Sequence, residues 1–276
     1  MPRMTYSGRQ TIREQAEKFL AEYGFTTPPL PPDEALAARR LEVTPLSLDD
    51  LLIKANLPPD EQMKIQAMLN INEKSITFRE GLPAQKQSWG KLHEVGHEFL
   101  PWHRELFYFC PLLWLPTDIQ NQFEAEADIF AAEAFFFGSK FDDYAKKGEF
   151  GLNTAKMLAD NIYGTSYHAT FAHFVEQSDI PCCLVVWSPI KTIEGGIHQT
   201  HLKLHYYIPS RSFKRHVATG VTIEDKDLLE LLTDPSFEAI NHKVSVSTNR
   251  KNPQLFNAES FSNSYNVFTL IYEPKT

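Results

Sequence analysis

Two histidines lie four residues apart, with a glutamate between them, in the segment His93-Glu94-Val95-Gly96-His97. On a helix this spacing places both imidazoles on one face, close enough to bind one ion. Zinc would lower the pKa of a bound water towards neutrality, and Glu94 could take the proton of that water. The segment therefore predicts a zinc site for peptide-bond hydrolysis, with His93 and His97 as ligands, Glu94 as general base and Gly96 leaving room near the ion. The alternative is a chance match, in which the histidine pair is satisfied inside a core.

A catalytic zinc site needs a third protein ligand, and the first candidate is His103. It has the spacing of the third histidine in the longer pattern H-E-x-x-H-x-x-G-x-x-H, but Leu100 stands where that pattern needs glycine. Because a residue before proline is pushed towards extended geometry, Leu100-Pro101 should end the helix without the glycine turn. We expect His103 to be a surface or capping histidine.

The second candidate is the acidic segment Glu124-Ala125-Glu126-Ala127-Asp128. On a helix, Glu124 and Asp128 lie one turn apart on the same flank of an apolar stripe. One carboxylate could bind the ion there while the second orients a ligand histidine. Glu126 lies on the other flank and is the fallback ligand. The alternative is a solvated acidic flank without a metal.

Helices and a small sheet must position these residues. A capping-box spacing at Thr11 and Glu14 predicts the start of the first helix. Alternating apolar residues on both sides of Asn72-Glu73-Lys74 predict a β-hairpin. Further helices are predicted at 33–40, 48–56, around 93–97, at 119–137 and as a pair within 152–178. Strands are predicted at 182–187, 201–208, 243–247 and 265–272.

Three features, in this order, resemble the ImmA/IrrE family of metallo-endopeptidases. They are a helix ending in Glu22-Tyr23-Gly24-Phe25 before a proline-rich step, the helix that holds residues 93–97, and residues 124–133, which are similar to the family's Glu-x-x-Ala-Asn/Asp-x-Phe-Ala signature. The resemblance extends from Ile12 to about Gly138. It implies that Glu124 is the third ligand and Asp128 its companion. It also implies a zinc enzyme that cuts a helix-turn-helix repressor or antitoxin and so derepresses stress genes. Independently of the resemblance, manganese is the alternative metal.

The expected fold class is α+β. A helix-rich, zincin-like metallopeptidase domain with a small β-sheet is expected at 1–140, a helix-turn-helix-like segment at 141–180, and a β-rich C-terminal domain, with a sensory role, at 181–276. The formal charge of −8 argues against broad binding to nucleic acids or acidic membranes. No signal peptide or bilayer-spanning run is visible, and three cysteines form no disulfide framework, so we expect a cytoplasmic protein.

A regulator is the alternative function. The segment 152–178 has a helix-turn-helix look, but its only basic residue is Lys156, so direct DNA binding is not expected. Such a protein would bind DNA or sense a ligand and carry a non-catalytic metal site. His198, His201 and His205 could form a second metal site, although a solvated strand face is the preferred interpretation.

Overall fold

A computed structural model describes residues 6–44, 47–54, 62, 65–109, 116–194, 197–214, 217, 222–223, 226–233, 240–246 and 254–272. These residues form helices together with two small sheets, which confirms the α+β class. The chain divides into two compact units, residues 1–141 and 142–276. The expected end of the first domain, at residue 140, lies next to this boundary.

The first unit is mainly helical and carries a three-stranded sheet. Its elements are α1 (Tyr6–Glu22), α2 (Pro32–Arg39), β1 (Glu42–Val43), α3 (Leu48–Lys54), β2 (Ala67–Asn70), β3 (Ser75–Phe78), α4 (Ala84–Phe99), α5 (Pro101–Phe109) and α6 (Thr117–Phe136), while α7 (Ser139–Ala145) spans the boundary.

The sheet of this unit has the strand order β1-β3-β2, with β1 parallel and β2 antiparallel to β3. Asn70 pairs with Ser75 at the end of the predicted hairpin, which is confirmed. The Oδ1 atom of Asn70 accepts a hydrogen bond from the backbone N–H of Glu73, and this contact stabilises the turn.

Helix α1 covers the two helices that carry the predicted site. Its side chain Phe19 is fully buried, with its ring centroid 5.2 Å from that of Phe99 on α4 and 5.8 Å from that of Phe130 on α6. The helix begins at Tyr6, so the capping box predicted at Thr11 and Glu14 is wrong, because both residues lie inside the helix. Glu14 instead accepts a hydrogen bond from Gln10, one turn earlier.

Helix α4 ends where the sequence predicts, at the residue before proline. Leu100 has extended geometry, with φ −64° and ψ 117°. Pro101 then begins helix α5 at once, since proline suits the first turn of a helix. The chain therefore changes direction sharply between His97 and His103.

The second unit contains a six-stranded antiparallel sheet with the order β6-β5-β4-β9-β8-β7. Its elements are α8 (Leu152–Leu158), a π-helical turn (Ala159–Tyr163), α9 (Tyr167–Glu176), β4 (Cys182–Glu194), β5 (Ile197–Pro209), β6 (Thr222–Ile223), α10 (Lys226–Thr233), β7 (Ile240–Val246), β8 (Gln254–Ser262) and β9 (Val267–Tyr272).

The helical segment 141–180, expected as a part of its own, lies in the same compact unit as the strands. Phe171 of α9 packs its ring edge-on against Phe268 of β9, 5.3 Å between centroids. The buried carboxylate of Glu259 on β8 accepts a hydrogen bond from the backbone N–H of Leu152, at 2.6 Å. These contacts join the helices to the sheet.

Cys182 and Cys183 are free thiols buried in β4, while Cys110 lies outside the described residues. Within the described residues, no helix is both long and apolar enough to cross a membrane.

Candidate metal centre

Helix α4 brings the two histidines of the motif together. The Nε2 atoms of His93 and His97 lie 3.1 Å apart, and their rings are nearly perpendicular, with centroids 4.8 Å apart. His97 is buried, and His93 is partly exposed at the edge of the site. The i, i+4 spacing therefore aims both ring nitrogens at one point, as predicted.

Helix α6 supplies the third donor. The carboxylate of Glu124 lies 3.2 Å from Nε2 of His93 and 3.5 Å from Nε2 of His97. Donor atoms of these three residues lie within 4.8 Å of one another, so His93, His97 and Glu124 form a group that could hold a metal ion. Two imidazoles and one carboxylate are a donor set that suits a divalent transition metal. The Glu124 side chain is 47% exposed, so the group is open to solvent on this side.

Asp128 lies one turn after Glu124 and contacts the other nitrogen of His93. Its Oδ1 atom is 2.9 Å from Nδ1 of His93 and also accepts a weaker hydrogen bond from Nε1 of Trp89, at 3.4 Å. If Nδ1 of His93 carries the proton, the lone pair of Nε2 faces Glu124 and His97. Asp128 thus contacts, from behind, one histidine of the candidate metal-binding group, at the position that the sequence predicts for it.

Glu94 is buried beside the three donors. Burial raises the pKa of its carboxyl to about 7, while the charge on His93 acts in the opposite direction and that of Glu124 in the same direction. A carboxyl group with a pKa near neutrality can both accept and release a proton at physiological pH. The geometry therefore places a group suited to proton transfer next to the metal-binding group.

The two histidines differ in their affinity for protons. Burial lowers the pKa of His93, but hydrogen bonds with Asp128 and Glu124 outweigh burial and raise this pKa to about 10. Burial lowers the pKa of His97 to about 4. Burial favours the neutral form of Glu124, yet the neighbouring imidazoles of His93 and His97 outweigh burial and hold its pKa well below the usual range. The carboxylate is therefore ionised and available as a ligand.

Gly96 has a packing role that the sequence analysis missed. A Cβ atom at this position would lie 3.1 Å from Cδ1 of Phe130 and 3.3 Å from Cα of Ala127, both on α6. We expected Gly96 to leave room near the ion. The structure gives a different reason for glycine at this position, which is that it lets α4 approach α6 closely. This approach brings Glu124 within reach of the histidines.

His103 is fully buried, so the expectation of a surface or capping histidine is wrong. The sharp break at Leu100 and the immediate start of α5 turn its ring back towards α4. Its Nδ1 atom lies 3.0 Å from Nδ1 of His97, and its Nε2 atom lies 2.9 Å from Oε2 of Glu126. His103 is outside the candidate metal-binding group, as predicted, but it contacts His97, a member of that group.

Glu126 is also buried, on the opposite flank of α6 from Glu124, as helical phasing predicts. It contacts none of the three donors and instead accepts hydrogen bonds from Trp102, His103 and Gln122. Burial raises its pKa, but these three donors outweigh burial and lower it overall. The structure therefore gives no support for Glu126 as the fallback ligand.

A buried ion-pair cluster fixes the other side of α4. Glu98 is completely buried and accepts hydrogen bonds from Arg39 of α2, at 2.9 Å from Nη2, and from Lys74 of the hairpin. Arg39 also donates to the hydroxyl of Tyr23. The sequence signal that could have revealed this cluster is Glu98 itself, an acidic residue beside Val95 and Phe99 on the apolar side of the helix. This cluster ties α4 to two other elements and so fixes the residues beside it.

The histidines of β5 form no second metal group among the described residues. His201 is buried and its Nε2 atom lies 2.9 Å from Oγ1 of Thr192, so it does not lie on a solvated face. His205 is exposed and packs against Tyr206, and the side chain of His198 is outside the described residues.

Comparison with solved structures finds a likeness to a Mycobacterium tuberculosis transcriptional regulator. The two share 11% sequence identity at a TM-score of 0.54, and the match covers 95% of this chain and 76% of that chain. At this identity the likeness shows the fold alone. No protein-family model and no curated protein matches the sequence.

Proposed function

We propose that this chain is a zinc-dependent endopeptidase of the ImmA/IrrE type, with His93, His97 and Glu124 as metal ligands. The observation that carries the proposal is the buried Glu94, whose carboxyl pKa is about 7, beside a group of two histidines and one carboxylate. A structural metal site has no use for such a base, whereas peptide hydrolysis requires one.

Each residue has a distinct role in this proposal. A zinc ion bound by the three ligands would polarise the peptide carbonyl and make the attacking water more acidic. Glu94 takes a proton from that water through its carboxylate and returns it to the amide nitrogen as the C–N bond breaks, which gives a new carboxyl group and a new amino group. Asp128 holds His93 by accepting the hydrogen of Nδ1, so that Nε2 faces the ion.

The proposed substrate is a helix-turn-helix repressor or an antitoxin, whose cleavage would derepress stress genes, and the proposed compartment is therefore the cytoplasm. The support for this substrate is the resemblance of residues 12–138 to the family. Manganese is the alternative metal, because the same donor set accepts it.

The decisive experiment compares wild type with Glu94→Gln, using a peptide library made from the proteome of the source organism. Zinc content is measured by atomic spectrometry, and cleaved bonds are identified by mass spectrometry. We expect Glu94→Gln to keep one zinc per chain and to lose at least about 100-fold in cleavage rate, because the general base is absent. Glu105→Gln, an exposed residue of α5, is the matched control and should cleave like wild type. Wild-type cleavage by the zinc-loaded Glu94→Gln protein would contradict the mechanism.

A transcriptional regulator with a non-catalytic metal site is the second candidate. The fold likeness to a transcriptional regulator over 95% of the chain favours it. In that case Glu94→Gln would leave the expression of the regulated genes unchanged, and the zinc-loaded wild type would cut no peptide. A gel-shift assay at physiological salt would test the DNA-binding form of this candidate directly.

A further inference from the structure

His103 connects a metal ligand to a buried carboxylate. Its Nδ1 atom lies 3.0 Å from Nδ1 of His97, and its Nε2 atom lies 2.9 Å from Oε2 of Glu126. Both distances are normal for hydrogen bonds, and both imidazoles are buried. The three side chains therefore form a continuous row from the metal-binding group into the core.

Burial favours the neutral form of both imidazoles, and for neutral rings the contacts of the row determine where each proton lies. An ionised carboxylate only accepts, so Nε2 of His103 must carry a hydrogen and donate it to Glu126. A neutral imidazole then has a lone pair on Nδ1, and this atom accepts the hydrogen on Nδ1 of His97. With its hydrogen on Nδ1, His97 presents the lone pair of Nε2 to the point shared with His93 and Glu124. The row thus selects the one neutral tautomer of His97 that can bind a metal through Nε2.

We propose that His103 and Glu126 are positioning residues that hold His97 in its metal-binding tautomer and orientation. The proposal rests on the metal site of the proposed function and extends it to two residues outside the ligand set. His103 acts through His97 and touches neither metal nor substrate. Glu126 acts through His103.

The surroundings of His103 are those of a fixed ring. The ring stacks on Phe123 of α6, with centroids 4.2 Å apart and planes inclined by 20°. Glu126 is in turn held by Nε1 of Trp102 at 2.6 Å and by Nε2 of Gln122 at 2.7 Å. A satisfied, buried network of this kind is rigid, so it can define the direction of a ligand.

The two ligand histidines would then be oriented by different means from the same helix. His93 has a direct carboxylate partner in Asp128, which is 58% exposed, whereas His97 reaches the buried Glu126 through a second imidazole. Glu124, Glu126 and Asp128 occupy alternate positions of α6, so little more than one turn of helix would supply a ligand and both orienting carboxylates. Any shift of α6 relative to α4 would move all three together.

The first test is direct and needs neither zinc nor activity. In the wild-type protein labelled with ¹⁵N-histidine, we expect His103 as the Nε2–H tautomer and a scalar coupling across the hydrogen bond between the two Nδ1 atoms of His97 and His103. A hydrogen on Nδ1 of His103, or a protonated His103 at neutral pH, would overturn the proposal, because neither form can accept from His97.

The second test measures zinc affinity by competition with a chelator. His103→Leu removes the acceptor, and we expect affinity to fall about 10–100-fold, as for other lost partners of ligand histidines. His103→Asn places an amide oxygen near the former Nδ1 position, and affinity should return to within a few-fold of wild type. His173→Leu removes a buried imidazole from the second unit and should have no effect.

The outcomes separate this proposal from the proposed function. If folded His103→Leu binds zinc as tightly as wild type, His103 has only a packing role and the proposal is wrong, although the peptidase function stands. If His103→Leu does not fold, the coupling and the His103→Asn variant decide. If wild type binds no zinc, the proposed function fails, and the presence or absence of the coupling still decides whether the row exists.

Discussion

The Nδ1 atom of His93 lies 2.9 Å from Oδ1 of Asp128. The carboxylate of Glu124, on the same helix as Asp128, lies 3.2 Å from Nε2 of the same ring. Two carboxylates one helical turn apart therefore contact the two nitrogens of one imidazole. Since the ring can carry its hydrogen towards Asp128, Nε2 is left for a metal. Asp128 is the more exposed of the two, so water competes for its contact.

Replacement of Asp128 should weaken metal binding without abolishing it. We expect Asp128→Ala to lower zinc affinity about 10–100-fold, because His93 loses the partner that fixes its ring. Asp128→Asn keeps an accepting oxygen and should have a smaller effect. Competition with a chelator measures both variants, and equal affinities for Asp128→Ala and wild type would contradict the assignment.

Glu124 and Glu126 provide a sharper comparison because they lie two residues apart on one helix. Glu124→Ala removes a direct donor, and we expect a loss of zinc affinity greater than the roughly 10–100-fold cost of losing a partner of a ligand. Glu126→Gln should cost less, since the ion keeps all three ligands. The reverse order in the same competition assay would contradict the assignment of Glu124 as the third ligand.

Periodicity predicted part of the metal-binding group, whereas the choice of Glu124 as its third member came from the resemblance to the ImmA/IrrE family. The spacing of His93 and His97, and the shared flank of Glu124 and Asp128, follow from 3.6 residues per turn. The packing of α4 against α6 was not predictable from periodicity. Gly96 was assigned to the wrong purpose for this reason, since its neighbours Ala127 and Phe130 are on another helix.

His103 shows where sequence reasoning stops. The rule for residues before proline gave the end of α4 correctly, but the same proline begins α5, and the direction of α5 is set by tertiary packing. Similarly, the partners of Glu98 lie 59 and 24 residues away in Arg39 and Lys74, beyond any local pattern.

In the second unit, the sequence analysis missed strand β8. This strand buries polar residues such as Glu259 and Ser260 beside Phe261, so no alternation of apolar and polar residues marks it.

Gly96→Ala should destabilise the first unit and weaken metal binding together. Alanine favours a helix over glycine by about 1 kcal/mol, but an added Cβ atom would press on Ala127 and Phe130, and overpacking costs about 1–3 kcal/mol. We expect the overpacking to prevail, because the nearest atoms include the backbone of α6. Thermal unfolding and zinc titration check this, and a variant that is more stable with unchanged affinity would show that the helices adjust freely.

The buried Glu98 should contribute more to stability than the exposed Asp33, although both form ion pairs that join α2 to α4. Glu98→Gln leaves the guanidinium of Arg39 without its charged partner, and we expect a loss of about 3 kcal/mol in unfolding free energy, near the lower end for a broken buried pair because Lys74 reaches solvent. Asp33 of α2 pairs with Lys91 of α4 at 2.6 Å but is 81% exposed, so Asp33→Asn should cost less than about 1 kcal/mol. Urea unfolding of both variants measures the difference, and equal losses would contradict a special role for Glu98.

Zinc affinity should rise with pH in a window set by the histidines. The pKa of His93 is raised to about 10 and that of His97 is lowered to about 4, so at neutral pH His93 holds a proton that zinc must displace, whereas His97 holds none. Between pH 7 and 9 one proton leaves for each ion bound, and affinity should increase about tenfold per pH unit. Below about 7 the carboxyl of Glu94 is also protonated, and the dependence should become steeper. Chelator competition across this range gives the slope. A flat profile from pH 7 to 9 would mean that His93 is already neutral. Asp128→Asn removes the charge that raises the pKa of His93, so in this variant the zinc affinity should stop rising at a lower pH than in wild type.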